Sequence, residues 1–468
     1  MNSPRLSTYA CSASWENRPW TRFAEAEVAV LPVCSYGVVP AGMSLDFEEE
    51  LLGSILADCF ATGLPEGVLV LPPLRFTHVP HPQARFSISD DEARQLLREV
   101  ALSVKVAGVR KLVFVVSGPW HQETVLDCSR DIRVDTGLIT SVVPLKHLGI
   151  DLSPAAPVGK QRSLRPGDVK RALDQKTFAE ARQYLTDAAR QLRLVLLEVA
   201  GAAFSDAPKI QDHAPARKPA RSLTSLNQDQ LAAAARANNA LVVIPIGAIE
   251  QHGLHLPVGV DSMLGLAYLD QALANLSTDQ PVWAGMPITY GKSTEHQAFP
   301  GTVTVSAASL RAMVKAQVHG LRRLGFQRFA FLNTHGGNSL TLVALSRELE
   351  AEGAGEVGLL NHLWKPELSS PREAAYGFHA GEWETSLMLA LAPDLVAMDK
   401  AVCEYPAGCE EGNRVKPEGG TALLSWATGD VSRSGVMGDA TQATKEKGER
   451  WLKAYVDSLV ARIEELMR

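Results

Sequence analysis

The strongest constraint in this sequence is an internal repeat. Placing Leu112–Val115 (LVFV) under Phe329–Leu332 (FAFL), an offset of 217 residues, also brings Gly108 onto Gly325. Upstream, RFSISDDEARQLLREVALSVKVAGVRKLVFV runs beside TVTVSAASLRAMVKAQVHGLRRLGFQRFAFL without a gap. Each copy reads as a short alternating segment, a polar N-cap, an amphipathic helix, a glycine turn and an apolar strand. Further upstream VAVLPVCSYG resembles VVIPIGAIEQ, and downstream PGDVKRALDQKTFAEARQYL mirrors MGDATQATKEKGERWLKAYV. Self-similarity of this extent means two copies of one structural plan, and a tandem duplication is the reading that follows. The chain has 468 residues, a length that by itself allows two to four unrelated domains. The repeat reduces these to two related ones.

Within each copy, apolar runs (VLVLPP and KLVFVV, then ALVVIPI and RFAFLN) alternate with helical stretches. That alternation predicts a layered α/β domain with a mainly parallel sheet. The seam falls where periodicity fails, at GAAFSDAPKIQDHAPARKPARSLTS. The expected organisation is therefore a first domain over 1–200, a linker over 201–225 and a second domain over 226–468. Residues 150–167 read as a surface loop inside the first copy. Composition excludes global disorder, with 46% apolar and 21% charged residues. A net charge of -6 and the lack of a long basic run give no reason to expect nucleic acid or an anionic membrane as partner. No apolar stretch suggests a signal peptide or a membrane span. Six cysteines without a CxxC pair fit reduced thiols in a cytoplasm.

Seven of the twelve histidines lie between Gln251 and Ala380, so the chemistry is sought in the second copy. Glu250-Gln-His252 directly follows a predicted strand, and in an extended continuation both side chains project to one side, where they could share a metal with Asp261. Open α/β sheets place ligands at such strand ends. Asn333-Thr-His335-Gly336-Gly337-Asn338 offers a further imidazole, beside glycines that let backbone N–H groups approach a developing negative charge. In Gly377-Phe-His379-Ala-Gly-Glu382-Trp383-Glu384, either Glu382 or Glu384 could complete a metal site, and His379 is a candidate general acid or base. Ser293, Glu295 and His296 sit in a loop suited to line a pocket. Each segment alone could be an ordinary polar loop or a capped helix start. Four such segments, each at an expected βα loop and each carrying His or carboxylate, argue for one site.

The motifs EQHGxHLPxxxD, GxSxEHxxFPGT, NTHGGN, HAGExETS and GxxGDxxxATxEKG, in this order over about residues 222–468, resemble those of the creatininase family of metal-dependent amidohydrolases. The resemblance implies a three-layer α/β/α fold, present twice here, and a centre of two divalent ions, zinc, manganese or iron. It implies that Glu250, Asp261 and His335 hold one ion and His252 and Asp261 the other, with Asp261 bridging. Creatininase carries a carboxylate two positions after the histidine of the NTHGGN motif. Gly337 stands there in this chain, so Glu384 is taken as the further ligand. That departure moves the expected substrate from creatinine toward another small amide or cyclic amide, with formamide deformylation or peptide processing as alternatives. His379 would move protons, Gly336 and Gly337 would assist at the oxyanion, and Ser293, Glu295, His296 and Trp383 would contact substrate. Family members commonly assemble as oligomers, and the two repeats of this chain are expected to form a pseudo-dimer within a homo-oligomer.

The first copy is expected to be inert. Glu250 aligns near Gly37, His252 near Val39 and His335 near Gly118, and neither Gly nor Val can hold a metal. His78, His81 and His121 could form a different site, but no acidic residue accompanies them at suggestive spacing. Two rivals are a two-metal phosphoesterase and a non-catalytic scaffold. Against the first, Lys292 is the only basic residue in the four motifs.

Overall fold

A computed structural model of the chain describes residues 13–36, 43–61, 64, 67–81, 84–152, 179–202, 219, 221–360, 365–408, 413–416, 422–423 and 425–468. Most of the expected loop at 150–167 and of the expected linker at 201–225 lies outside the described residues, as do Gly37 and Val39.

Two four-stranded parallel sheets form, one in each half. In the first, β1 (Val28–Val33), β2 (Val68–Val70), β3 (Lys111–Val116) and β4 (Ile139–Pro144) lie in the order β2-β1-β3-β4. In the second, β5 (Leu241–Ile246), β6 (Val282–Ala284), β7 (Arg328–Asn333) and β8 (Glu356–Leu360) lie in the order β6-β5-β7-β8. The registers match as well. Lys111 pairs with Val28 and Ile139, and Arg328 pairs with Leu241 and Glu356. The central strands are continuous apolar runs because both of their faces are covered. Every residue of VAVLPV and of LVVIPI is buried. Both strands carry proline at their fifth position, Pro32 and Pro245, which cannot donate to a neighbour. The edge strands on that side end at Val70 and Ala284, before a donor is needed.

Helices cover both faces. In the first half, α1 (Phe47–Ala61) and α4 (Ala179–Ala200) bury one face, while α2 (Asp90–Val106) and α3 (Gln122–Thr136) bury the other. In the second half, after α5 (Gln228–Arg236), the helix α6 (Val260–Asn275) packs on one face with α10 (Glu382–Leu391) and the C-terminal helix Lys445–Met467. There α7 (Ala307–Leu324) and α8 (Ser339–Ala351) cover the opposite face, and α9 (Pro371–Tyr376) precedes α10. Each half is thus a three-layer α/β/α unit. The faces carrying α2 and α7 share one continuous apolar core, so the halves are packed against each other. Gly320 inside α7 shows how closely. A helical glycine costs about 1 kcal/mol relative to alanine, but a Cβ here would lie 2.3 Å from Phe86 Cδ1 of the first half.

The contacts between halves are reciprocal. Val258 N and Gly259 N, just before α6, donate to Arg18 O and Glu16 O at 2.9 Å each. Leu45 N and Asp46 N, just before α1, donate to Leu226 O and Thr224 O at 3.3 and 3.1 Å. Ser14 bridges to Val70 as Ser222 bridges to Ala284. Residues 221–225 therefore differ from the linker expected there. Ser222 and Leu223 are buried, and Arg221 donates to Gln280 O and Ser277 O, so this stretch is a packed part of the second half. Among the described residues, no helix is long and apolar enough to cross a membrane.

The second residue of α1 is Glu48, in the position that Asp261 holds in α6. Glu48 Oε2 accepts from Ser35 N at 2.9 Å and Ser117 Oγ at 2.6 Å, and burial raises its carboxyl to about 7. The folded state therefore retains a proton that the unfolded chain releases near 4.5, so this group weakens the fold as pH rises through that interval. In urea denaturation Glu48→Gln is expected to match wild type near pH 4. It should be more stable by about 3 kcal/mol near pH 8, the equivalent of that raised carboxyl. An equal difference at both pH values would contradict the assignment.

Candidate metal centre

The polar residues of the second half gather at the carboxyl ends of β5 and β7. Beyond β5, Ile249 bridges to Val303 and Glu250 N donates to Val258 O at 2.9 Å, which fixes the first motif as a tight loop with Gly253 at φ +70°. Asp261 is the second residue of α6. His335 follows β7, and its neighbour Asn338 locks the site's floor by accepting from Lys292 N at 2.8 Å and donating to Gly247 O at 3.0 Å. His379 pairs through its backbone with Met437, and Glu384 lies in the first turn of α10.

These elements bring Glu250, His252, Asp261, His335, His379 and Glu384 together. His335 Nδ1 lies 3.1 Å from Glu250 Oε2 and 3.4 Å from Asp261 Oδ2, and His252 Nε2 lies 3.5 Å from Asp261 Oδ1 and 3.8 Å from Glu384 Oε1. Three trios have donor atoms within 4.8 Å of one another: Glu250, Asp261, His335; His252, Asp261, Glu384; and Glu250, His252, His379. Among the described residues no other group could hold a metal in this way, so His78, His81 and His121 form no such group. Glu250 Oε2, His252 Nε2 and Asp261 Oδ2 are buried and make no well-aligned hydrogen bond, meeting only the cluster's own imidazoles and carboxylates at 3.1 to 3.8 Å. Leaving such atoms unsatisfied costs roughly 1–3 kcal/mol each, more for charged groups, and a cation between them removes the penalty. The donor set therefore fits divalent metal.

The electrostatics follow from burial against mutual attraction. Burial raises Glu250 to about 7 despite His335. Burial also pushes Asp261 and Glu384 up, but His252 outweighs it and holds both below the usual carboxylate range. Burial lowers His252 and His335, yet Asp261 with Glu384 raises the first and Glu250 with Asp261 raises the second, each well above an ordinary imidazole. His379 has no such carboxylate in command, and burial followed by His252 takes it down to about 4.

The remaining residues separate by position. Ser293 Oγ lies 3.2 Å from His335 Nε2, and Glu295 Oε1 lies 3.7 Å from the same nitrogen. His296 is buried against His379, ring centroids 4.3 Å apart, with its Nε2 3.5 Å from Glu250 Oε1. Gly336 is exposed, with nothing within 4 Å of where a Cβ would stand. At Gly337 a Cβ would meet Glu295 Oε1 at 2.3 Å, so the Glu295 carboxylate already fills that space. The structure does not bring Trp383 to the cluster. Its ring faces Trp451 and Tyr455 of the C-terminal helix, at 5.6 and 6.3 Å, because α10 turns that side toward the core. Glu382 is also turned away, accepting from Ser369 N and pairing with Lys447 Nζ at 2.6 Å. His255 lies beside the cluster with Nε2 2.8 Å from Thr385 Oγ1.

Sequence reasoning passed over Gln251 and Thr428. Gln251 is fully buried, with Nε2 2.9 Å from His296 Nδ1 and 3.1 Å from Gly435 O, while its backbone O lies 2.8 Å from His379 Nε2. Its place between Glu250 and His252 was the available signal. Thr428 Oγ1, 2.6 Å from His296 Nδ1, stands in a segment with no motif to mark it.

The chain belongs to the creatininase family: the family model described as creatininase, creatinine amidohydrolase, matches residues 224–463. It is a hydrolase of that family, and its relatives include enzymes that cleave amides. The mycofactocin precursor peptide peptidase of Mycolicibacterium smegmatis is 34% identical over 225 residues, covering 48% of this chain and 84% of that protein. The creatinine amidohydrolase of Pseudomonas putida is 29% identical over 249 residues, covering 49% and 90%. A solved manganese creatininase aligns at 27% identity over 51% of this chain and 96% of its own, with a TM-score of 0.42.

The two glycines of the NTHGGN motif should respond differently to a methyl group. Gly337→Ala is expected to destabilise the fold by roughly 1–3 kcal/mol, the usual range for overpacking, because its Cβ also meets Lys292 O at 2.4 Å and His335 Nε2 at 2.5 Å. Gly336→Ala, into open space, should leave the denaturation midpoint unchanged. Equal effects at the two positions would contradict the packing described.

Proposed function

We propose that this chain is a metal-dependent amidohydrolase that cleaves a C–N amide bond, linear or cyclic, in a small molecule. Two divalent ions would be held, one by Glu250, Asp261 and His335 and the other by His252, Asp261 and Glu384, with Asp261 shared. The observation that carries this reading is the convergence of buried imidazole and carboxylate atoms of Glu250, His252, Asp261, His335 and Glu384 to within 4.8 Å in each trio, without well-aligned hydrogen bonds on Glu250 Oε2, His252 Nε2 and Asp261 Oδ2. Mixed imidazole and carboxylate donors suit zinc, manganese or iron. When bound, such ions supply a Lewis acid for the carbonyl and lower the pKa of water.

The chain's own residues would do the rest. His379 Nε2 lies 2.8 Å from Gln251 O and 3.0 Å from Gln251 Nε2; in the tautomer that donates to the carbonyl, the Nδ1 lone pair faces the cluster, 3.7 Å from Glu250 Oε1. From there His379 can take a proton from the attacking water and return it to the leaving nitrogen. Glu384 would hold His252 together with Asp261, both carboxylates facing its Nε2. The backbone at Gly336, exposed, and at Gly337, half-buried beside Glu295, would face the oxyanion, and Ser293, Glu295 and His296 would line the substrate side.

A peptide amide is the second reading. The similarity to precursor peptide peptidases favours it, as do Phe378, 36% exposed, and the half-buried Trp426, whose rings stand 6.0 Å apart beside the histidines. We further propose that the first half carries no catalytic site and that the halves, arisen by tandem duplication, form a pseudo-dimer within a homo-oligomer. The matching sheet registers and reciprocal contacts support this. Cys34, Cys128 and Cys403 are free thiols, in keeping with a cytoplasmic protein.

Metal analysis tests the centre. The purified wild type, loaded with manganese or zinc, should retain two equivalents per chain after desalting and hydrolyse a member of a panel of cyclic amides, formamides and short peptides. Asp261→Ala should lose both ions and all turnover. Retention of two equivalents with normal activity would overturn the bridging role. Glu382→Gln, away from the cluster, should keep both ions while losing the stabilising pair with Lys447.

A further inference from the structure

The reciprocal interface is chemically uneven where it meets the site. Trp15 and Leu223 occupy corresponding places, each following the bridging serine (Ser14 or Ser222) and each opening a short 3-10 turn. Both are buried, so leucine suffices to fill this position. Trp15 adds a donor. Its indole Nε1–H donates at 2.8 Å to Gly301 O, in the FPGT segment of the second half. Gly301 has φ +86°, and a Cβ there would stand 2.3 Å from Phe23 Cε2, so only glycine lets this loop close on the first half. Trp15 packs against Phe23 with tilted rings, centroids 4.5 Å apart, and Trp20 meets Phe299 edge-on at 5.2 Å, so the loop is held by aromatic contacts of the first half.

From Gly301 the contacts lead to the site in two steps. The next residue, Thr302, is buried, and its Oγ1 accepts from Gln251 N at 3.0 Å. Gln251 in turn touches His296 through its side chain and His379 through its backbone carbonyl. The same first-half segment also receives Val258 N and Gly259 N, immediately ahead of the helix whose second residue is Asp261.

We propose that Trp15 of the first half is a positioning residue for the site of the second half, acting through Gly301 and Thr302 on Gln251 and so on the orientation of His296 and His379. The first half is then a working part of the active site that it does not itself contain. The inference rests on the amidohydrolase reading for its kinetic consequence but not for its geometric one.

The test uses the full chain with Trp15→Phe, which keeps an aromatic ring on Phe23 and removes the donor together with part of the indole's volume. Thr302→Val breaks the next link isosterically, and Leu223→Ala perturbs the mirrored contact. Imidazole nitrogen resonances of histidine-labelled, metal-free protein report tautomer and hydrogen bonding directly, and steady-state kinetics of the loaded enzyme report the consequence. Trp15→Phe and Thr302→Val are expected to shift the signals of His296 and His379 and to lower kcat about 10-fold with little change in KM, since small misplacements of reacting groups carry such penalties. Leu223→Ala is expected to lower the melting temperature by several degrees, about what the loss of a buried leucine side chain brings in a chain this long, with those signals and kcat unchanged. Unshifted histidine signals in both Trp15→Phe and Thr302→Val, or an equal kinetic loss in Leu223→Ala, would overturn the positioning role. If the wild type hydrolyses no amide at all, the function reading fails, and the histidine signals still decide this one.

Discussion

Glu250 Oε2, His252 Nε2 and Asp261 Oδ2 converge in a buried cluster without well-aligned hydrogen bonds, and much of the surrounding structure serves to hold them there. Two carboxylates and several imidazoles do not stay buried and close unless the backbone that carries them is rigid and their charges are balanced. Rigidity comes from the parallel sheet, whose buried strand β5 delivers Glu250 and whose strand β7 delivers His335. Balance comes from the pairing of each carboxylate with an imidazole, which holds Asp261 and Glu384 ionised and raises His252 and His335. A divalent ion placed among them completes that balance and satisfies the orphaned atoms.

The first half shows what the same frame becomes without the ligands. Glu48 stands where Asp261 stands in the second half, but it is tied by Ser35 N and Ser117 Oγ in place of imidazoles. His121 is nearby and buried, which takes it down to about 4 and keeps it neutral, so no cationic partner lowers the Glu48 carboxyl. One buried acid satisfied by two neutral donors is a structural solution, whereas a cluster of acids and imidazoles with open atoms is a metal-binding one. The continuous core between the halves and the exchanged backbone hydrogen bonds ahead of α1 and α6 couple the half that carries Glu48 to the half that carries the cluster.

Much of this was legible in the residues. The parallel sheets and the double α/β plan follow from apolar runs alternating with helical stretches and from the repeat itself, because buried parallel strands leave a strong compositional mark; the order of the strands within each sheet does not. Glu250, His252, Asp261, His335, His379 and Glu384 could be picked out because metal-ligand chemistry restricts residue type and strand ends restrict place. What escaped was set by packing. Trp383 reads like a pocket aromatic, but helical phase turns it onto Trp451. The choice between Glu382 and Glu384 depends on which of two side chains in one helical turn meets Lys447, a contact 65 positions away in sequence. Gln251 and Thr428 act through hydrogen bonds that no spacing rule encodes. The packed stretch 221–225 looked like linker because its order comes from contacts distant in sequence, Arg221 to the carbonyls of Gln280 and Ser277 and Thr224 to Asp46, which no local periodicity marks.

The central claim is that a chain with two copies of one fold holds metal in only one of them. Anomalous diffraction from a crystal of the manganese- or zinc-loaded full chain tests it most directly. The account predicts two peaks per chain, one among Glu250, Asp261 and His335 and one among His252, Asp261 and Glu384, and none beside Glu48, Ser117 and His121. A peak beside Glu48, or none in the second half, would contradict it.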